Sequence, residues 1–108
     1  MLSGNESNVS VRIVKPRNAI YIFDKAILPS KKPIIIGKIT IKAEAFSSHP
    51  INKVEFYVDD ELKFIDDASP YQWLWNERAF GEYEIKVIAH DKYSDEATDE
   101  INVWVMNL

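Results

Sequence analysis

The chain is predicted to fold as an all-β sandwich of seven to eight antiparallel strands, on three observations. Short runs rich in Val, Ile and aromatic residues alternate apolar with polar positions, the period of a half-buried strand. Turn-forming clusters interrupt these runs about every ten residues, as in sandwiches and barrels. No segment sustains the 3.6-residue period of an amphipathic helix.

Taken in order, residues 1–8 are small and polar and read as a linker or disordered start; residues 9–108 read as one domain. The start holds two N-x-Ser triplets, Asn5-Glu6-Ser7 and Asn8-Val9-Ser10, which fit either a glycosylated linker or plain disorder. Val9, Val11 and Ile13 form a first strand that Pro16 ends or marks as an edge. Ile20-Tyr21-Ile22-Phe23 is a second apolar segment, and Asp24–Lys32, with Pro29 and Ser30, reads as a loop. The placement of residues 1–32 stays open: they add an edge strand or lie across a sheet.

Pro33–Phe46 is the longest β-like run. Ile35, Ile39, Ile41, Ala43 and Ala45 share one phase, and Lys38, Thr40, Lys42 and Glu44 the other. The phase blurs at Ile34-Ile35-Ile36 before Gly37, which fits a bulge there or a segment covered on both faces. After a turn at Ser47–Pro50, Val54, Phe56 and Val58 alternate with Lys53, Glu55 and Tyr57. Asp59-Asp60-Glu61 turns the chain, and Leu62, Phe64 and Ile65 return it as a hairpin. Beyond the Asp66–Pro70 loop, Tyr71, Trp73 and Trp75 share a face opposite Gln72 and Leu74. Asn76–Gly81 is read as a connection. Tyr83, Ile85, Val87 and Ala89 then alternate with Glu84, Lys86, Ile88 and His90. The acidic Asp91–Asp99 stretch leads to a last strand, with Ile101, Val103 and Val105 inward and Asn102, Trp104 and Met106 facing away.

Composition sets the functional limits. At 108 residues, 46% of them apolar, the chain can bury its own core without a metal or disulfide, and it has no cysteine. No stretch approaches the roughly 20 apolar residues of a membrane span, so no membrane insertion is expected. The net charge of −4 is unevenly divided: residues 1–54 carry nine basic and three acidic residues (+6), and residues 55–108 four and fourteen (−10). Two readings fit this asymmetry. Strands from the two halves pair and bring opposite charges together, or the surface is bipolar and docks on a neighbour. The acidic balance argues against nucleic acid.

A family resemblance emerges from KVEFYVDD at Lys53–Asp60, then ELKFIDDASPYQWLWN and GEYEIKVIAHD. The chain resembles the bacterial and archaeal immunoglobulin-like domains of surface and secreted proteins. Those carry a V-E-F-Y-V-D-G hairpin, a P-Y-x-aromatic-x-W strand, and a strand ending V-x-A-x-D. The resemblance spans about Ile39–Val105. Asp60 stands where the family often has glycine, and Lys92-Tyr93-Ser94-Asp95 replaces a small Gly-Asn turn. It implies an immunoglobulin-like or fibronectin III-like sandwich, an extracellular or cell-envelope location and a larger modular parent. The implied role is a spacer and a protein-interaction or adhesion domain, with neighbouring domains or another surface protein as partners.

Chemistry is sparse. His49 and His90 are the two histidines, and no nucleophile motif supports a triad from Ser47, His90 and Asp91, so an enzyme is not expected. Asp60, Asp66, Asp67, Asp91 and Asp95 are candidate oxygen ligands for calcium, the one cofactor considered. No EF-hand spacing is present, and Asp is also a good turn residue. Tyr71, Trp73 and Trp75 either fill the core or make a sugar-stacking platform, which would suit a polysaccharide-binding module of a secreted enzyme. Tyr83 is placed to bond backbone like a tyrosine corner. Tyr57, Ile88, Trp104 and Met106 are expected to gather on an outer sheet face as a contact surface, unless lysine stems or the N-terminal segment cover them.

Overall fold

The computed structural model describes residues 8–108. The expected polar start and the Asn5-Glu6-Ser7 triplet lie almost wholly outside these residues. Ten strands follow one another: β1 (Ser10–Lys15), β2 (Ala19–Ile22), β3 (Lys25–Pro29), β4 (Ile34–Ile36), β5 (Ile39–Phe46), β6 (Ile51–Val58), β7 (Glu61–Asp66), β8 (Tyr71–Trp75), β9 (Ala79–Asp91) and β10 (Glu96–Asn107). They form two sheets, β1-β5-β8 and β3-β2-β4-β10-β9-β6-β7. The all-β sandwich holds, with more strands than the seven to eight expected.

The core lies between the sheets, where the inward phase of each strand meets. Ile13, Ile39, Ile41 and Trp75 from the smaller sheet face Tyr21, Ile35, Val54, Phe56, Ile85, Val87, Val103 and Val105 from the larger. Phe56 is fully buried near its centre, with its ring 6.3 Å from Phe64 and 6.4 Å from Trp73. Burying such side chains contributes roughly 2 kcal/mol each, so the sandwich is held by apolar area.

The extra strands come from the N-terminal third. Residues Lys25–Pro29, expected as loop, form β3 on the open edge of the larger sheet. Every β3 residue is exposed, so the strand has no buried phase for an alternation argument to detect. The turn before it is also disguised. Phe23 and Asp24 both have positive φ (47° and 76°) and join Ile22 to its register partner Lys25, a two-residue primed hairpin turn normally made by Asn-Gly. Tertiary contacts hold this unfavourable turn. The Asp24 carboxylate accepts hydrogen bonds from the Thr40 N–H (2.7 Å) and hydroxyl (2.6 Å) and pairs with Lys15 Nζ (2.8 Å). Burial pushes that carboxyl up, but Lys15 and Thr40 outweigh it and bring its pKa to about 2.

The blurred run at Ile34–Ile36 also resolves. It is two strands in different sheets, β4 and β5, and the chain crosses between the sheets at Gly37 (φ +83°). β4 pairs in parallel with both β2 and β10, so the sheet is mixed rather than purely antiparallel. Sitting mid-sheet, its outward Ile34 and Ile36 are half-buried while Ile35 is fully buried, which erases the alternation.

Opposite charges do not meet broadly across the fold. β1–β5 come from the basic half of the chain, and β7, β9 and β10 from the acidic half. Arg12–Glu44 (2.9 Å) and Lys15–Asp24 lie within the first half; Lys63–Glu77 (3.0 Å) and Lys86–Asp60 (2.7 Å) lie within the second. Lys32, in the connection between β3 and β4, pairs with Glu82 on β9 and so joins the two halves.

Candidate contact surface

The outer face of the seven-stranded sheet carries the four residues expected to form a contact surface. β9 and β10 pair so that outward residues stack in rungs: Phe80 with Met106, Glu82 with Trp104, Glu84 with Asn102, Lys86 with Glu100, and Ile88 with Thr98. On β6, Tyr57 stands beside Lys86 and Glu55 beside Ile88. Tyr57, Ile88, Trp104 and Met106 therefore share a face and are all half-buried, yet they do not gather. The polar rungs Glu84–Asn102 and Lys86–Glu100 separate Trp104 and Met106 from Ile88, and Tyr57 stands at the far end of the Lys86–Glu100 rung.

The Tyr57–Ile88 end is polar. The Tyr57 hydroxyl donates to Glu55 (3.2 Å), and Lys86 Nζ lies 5.1 Å from the Tyr57 ring centroid. Glu55 also meets His90 Nε2 at 2.8 Å, and the other ring nitrogen lies 3.5 Å from Glu96. Burial pushes the Glu55 carboxyl up, but His90, Tyr57 and Lys53 together hold it below its ordinary value. Burial and the Glu55 charge push the Tyr57 phenol up.

The Trp104–Met106 end is apolar, and its partners were not foreseen. Phe80 meets Trp104 edge-to-face with ring centroids 5.5 Å apart. Across β4 and β2, Ile34 and Ile20 continue the Trp104 rung, and Ile36 and Ile22 continue the Met106 rung. Leu28 on β3 extends the row from Ile20. Phe80 is hidden in the sequence because Asn76–Gly81 reads as a connection, whereas β9 begins at Ala79 and takes Gly81 (φ +120°) into the strand. Phe23 sits at the same end, above Gly37. With Ile36, Met106 and Leu108 it lines a shallow depression of 280 Å³. The Lys32–Glu82 ion pair spans the strand carrying Trp104, as a lysine stem over an aromatic would.

The carboxylates considered for calcium are dispersed. Asp60 and Asp66 lie at opposite ends of β7 and so do not share a site. Asp60 pairs with Lys86. Asp66 accepts from the N–H groups of Ala68 (3.2 Å) and Gln72 (3.0 Å), and Asp67 is exposed. Asp91 is 1% exposed; it accepts from the Tyr93 N–H (2.9 Å), the Asp95 N–H (3.1 Å) and the Ser47 hydroxyl (3.1 Å). Burial pushes that carboxyl up, but these donors hold it below its ordinary value. Asp91 and Asp95 thus close a turn through Asp95's backbone. Among the described residues, no three or more His, Cys, Asp or Glu side chains cluster as metal ligands would. Ser47 donates to Asp91, while His90 meets Glu55 and Glu96, so these three residues do not line up as a triad.

Tyr71, Trp73 and Trp75 lie on the inner face of the smaller sheet, where they fill the core. Trp73 and Trp75 stack at 6.1 Å, and Trp75 meets Tyr83 edge-on at 5.5 Å. The Tyr83 hydroxyl accepts from the Phe80 N–H at 3.2 Å, the backbone bond expected of it. Trp75 Nε1 is buried and finds no partner among the described residues.

Two sheets packed face to face through these inward aromatics define an immunoglobulin-like sandwich module. A family profile described as "Bacterial Ig domain" matches residues 10–87, and the chain belongs to that family. Among solved structures, the chain is similar to the fibronectin(III)-like modules of Clostridium thermocellum CbhA, with a TM-score of 0.73 at 24% identity over 94% of this chain. It spans about half (48%) of that longer chain. It is also similar in fold to an engineered protein, with a TM-score of 0.58 at 11% identity, covering 90% of this chain and 20% of the other. No curated protein matches it.

Proposed function

We propose that this domain is a non-catalytic module of a larger extracellular or cell-envelope protein, acting as a rigid spacer and a protein-interaction domain. The observation that carries this reading is the placement of the two ends of the described chain. β1 begins at Ser10 opposite Phe46, beside the Ser47–Pro50 and Asp91–Asp95 turns, whereas β10 ends at Asn107 opposite Ala79. The ends leave from opposite poles of a body measuring 50 × 24 × 21 Å, the arrangement that lets a module add length between neighbours. Family membership supports the exported setting, since domains of this kind typically occur in extracellular or surface proteins. With Trp73 and Trp75 in the core, no flat aromatic platform for a sugar is made from them, which favours protein over polysaccharide as partner.

The test is surface labelling of intact source cells with a membrane-impermeant amine reagent, followed by recovery with an antibody to the module. Labelling before lysis is expected. Labelling that requires lysis refutes the exported setting.

A further inference from the structure

We infer that Asn8 is a modification site, its side-chain amide carrying an N-linked glycan at the pole where β1 begins. This rests on the exported setting proposed above, where such glycans are attached. The first argument is the motif. Of the seven asparagines, only Asn5 and Asn8 have a serine or threonine two positions on, and Asn8-Val9-Ser10 is the one such triplet that lies wholly among the described residues.

The second argument is how the fold presents that triplet. Asn8, Ser10 and Arg12 are exposed, whereas Val9 and Val11 are half-buried against the core and Ile13 is buried. The period of two therefore starts before the strand does. It sets the Asn8 amide and the Ser10 hydroxyl on one solvent face and turns Val9 inward between them. Both groups that define an acceptor triplet are offered to the same side. Neither is strongly engaged. Asn8 Nδ2 lies 3.4 Å from Ser48 Oγ, longer than a good N–H···O bond, and the Ser10 hydroxyl has no partner among the described residues. The acceptor itself precedes the first β1–β5 rung, Ser10 with Phe46, so a transferase can draw it into its site without unpairing the sheet.

The third argument is what the glycan covers. Phe46 is 64% exposed and stands opposite Ser10. The Asn8–Ser48 contact continues that register by one step, which makes Asn8 the diagonal neighbour of Phe46, at about the 7–8 Å that long groups bridge. The first sugar on Asn8 Nδ2 can lay its apolar C–H face on this otherwise wet ring. The step is a group transfer from a lipid-phosphate-linked oligosaccharide. The bond from Nδ2 to the anomeric carbon forms, and the bond from that carbon to the phosphate oxygen breaks. The lipid phosphate leaves with the electron pair, and the amide proton passes to a basic group of the transferase.

Mass spectrometry of the tryptic peptide that ends at Arg12, taken from the protein recovered from its source cells, tests this. The expected result is a peptide heavier by whole sugar residues, with fragment ions placing them on Asn8. Asn8→Gln and Ser10→Ala, expressed in the same cells, are each expected to remove that mass, and Ser10→Thr to keep it. A glycan found only on Asn5, or one that survives Asn8→Gln on a serine hydroxyl, overturns the inference. An unmodified peptide from protein that surface labelling places outside the cell overturns this inference alone and leaves the exported reading standing. An unmodified peptide from protein labelled only after lysis overturns both.

Discussion

Replacing Gly37 with alanine probes the crossover between the sheets and the turn above it. Gly37 has φ +83°, and a Cβ there would stand 2.8 and 2.9 Å from two atoms of the Phe23 ring. The backbone term alone is about 1–2 kcal/mol for an L-residue in the left-handed region. The steric term is the displacement of the ring. Phe23 is 66% exposed, so about 80 Å² of a ~240 Å² side chain is covered, worth about 2 kcal/mol at 25 cal/mol per Å². Gly37→Ala should therefore destabilise by about 3 kcal/mol and Phe23→Ala by about 2 kcal/mol. Both remove the same ring packing, so the double variant should lose about 3 kcal/mol, a coupling of about 2 kcal/mol. Urea unfolding followed by tryptophan fluorescence measures all four corners, with a constant m-value confirming that the unfolded state is shared. A double variant additive to within about 0.5 kcal/mol would mean that Phe23 does not rest on Gly37.

Further outcomes follow from other contacts. Asp24 has a pKa lowered from 3.8 to about 2, so its contribution is present above pH 4 and is lost as the pH falls through about 2. Asp24→Ala should remove that acid-dependent component from a pH series of urea midpoints and cost about 2–3 kcal/mol at neutral pH through its lost hydrogen bonds. Phe56→Ala should lose about 3–5 kcal/mol in thermal unfolding by circular dichroism, as befits a fully buried ring; a loss below about 1 kcal/mol would contradict its central place. Asp60 has φ +66°, so Asp60→Gly should gain about 0.5–1 kcal/mol, and a loss would show that its pair with Lys86 matters more than backbone relief. Calcium at millimolar concentration should leave the melting temperature where EDTA leaves it, because Asp91 already accepts from three donors and Asp60 and Asp66 stand at opposite ends of β7; a rise of several degrees would place an ion there.

Much of this architecture is legible in the sequence, and the exceptions have physical causes. The strands from Ile39 onward announce themselves because each has one buried face, and burial imposes the period of two. The inward aromatics Tyr71, Trp73 and Trp75 follow the same phase. β3 is hidden because it buries nothing, and its turn is hidden because Phe23-Asp24 reaches a glycine-like conformation only through Thr40 and Lys15, which lie far along the chain. The contact face was half-legible. Out-of-phase Trp104 and Met106 mark an outer surface, but which residues join them depends on the order of strands across the sheet. The parallel insertion of β4 beside β10 brings Ile20, Ile34 and Leu28 to that face, and polar residues of β9 and β10 keep Tyr57 and Ile88 away from it.

The opposite exits of β1 and β10 also decide how the domain carries mechanical load. Tension between Ser10 and Asn107 pulls each terminal strand along its own axis, so hydrogen bonds between strands are sheared together rather than peeled one at a time. Bonds loaded in parallel share the force, and the rupture force rises with their number. β10, with twelve residues paired to β9 and three of them also to β4, should therefore outlast β1, which has five residues paired on one side to β5. Stretched from its poles, the module should yield first by sliding β1 off the small sheet, while the larger sheet stays closed.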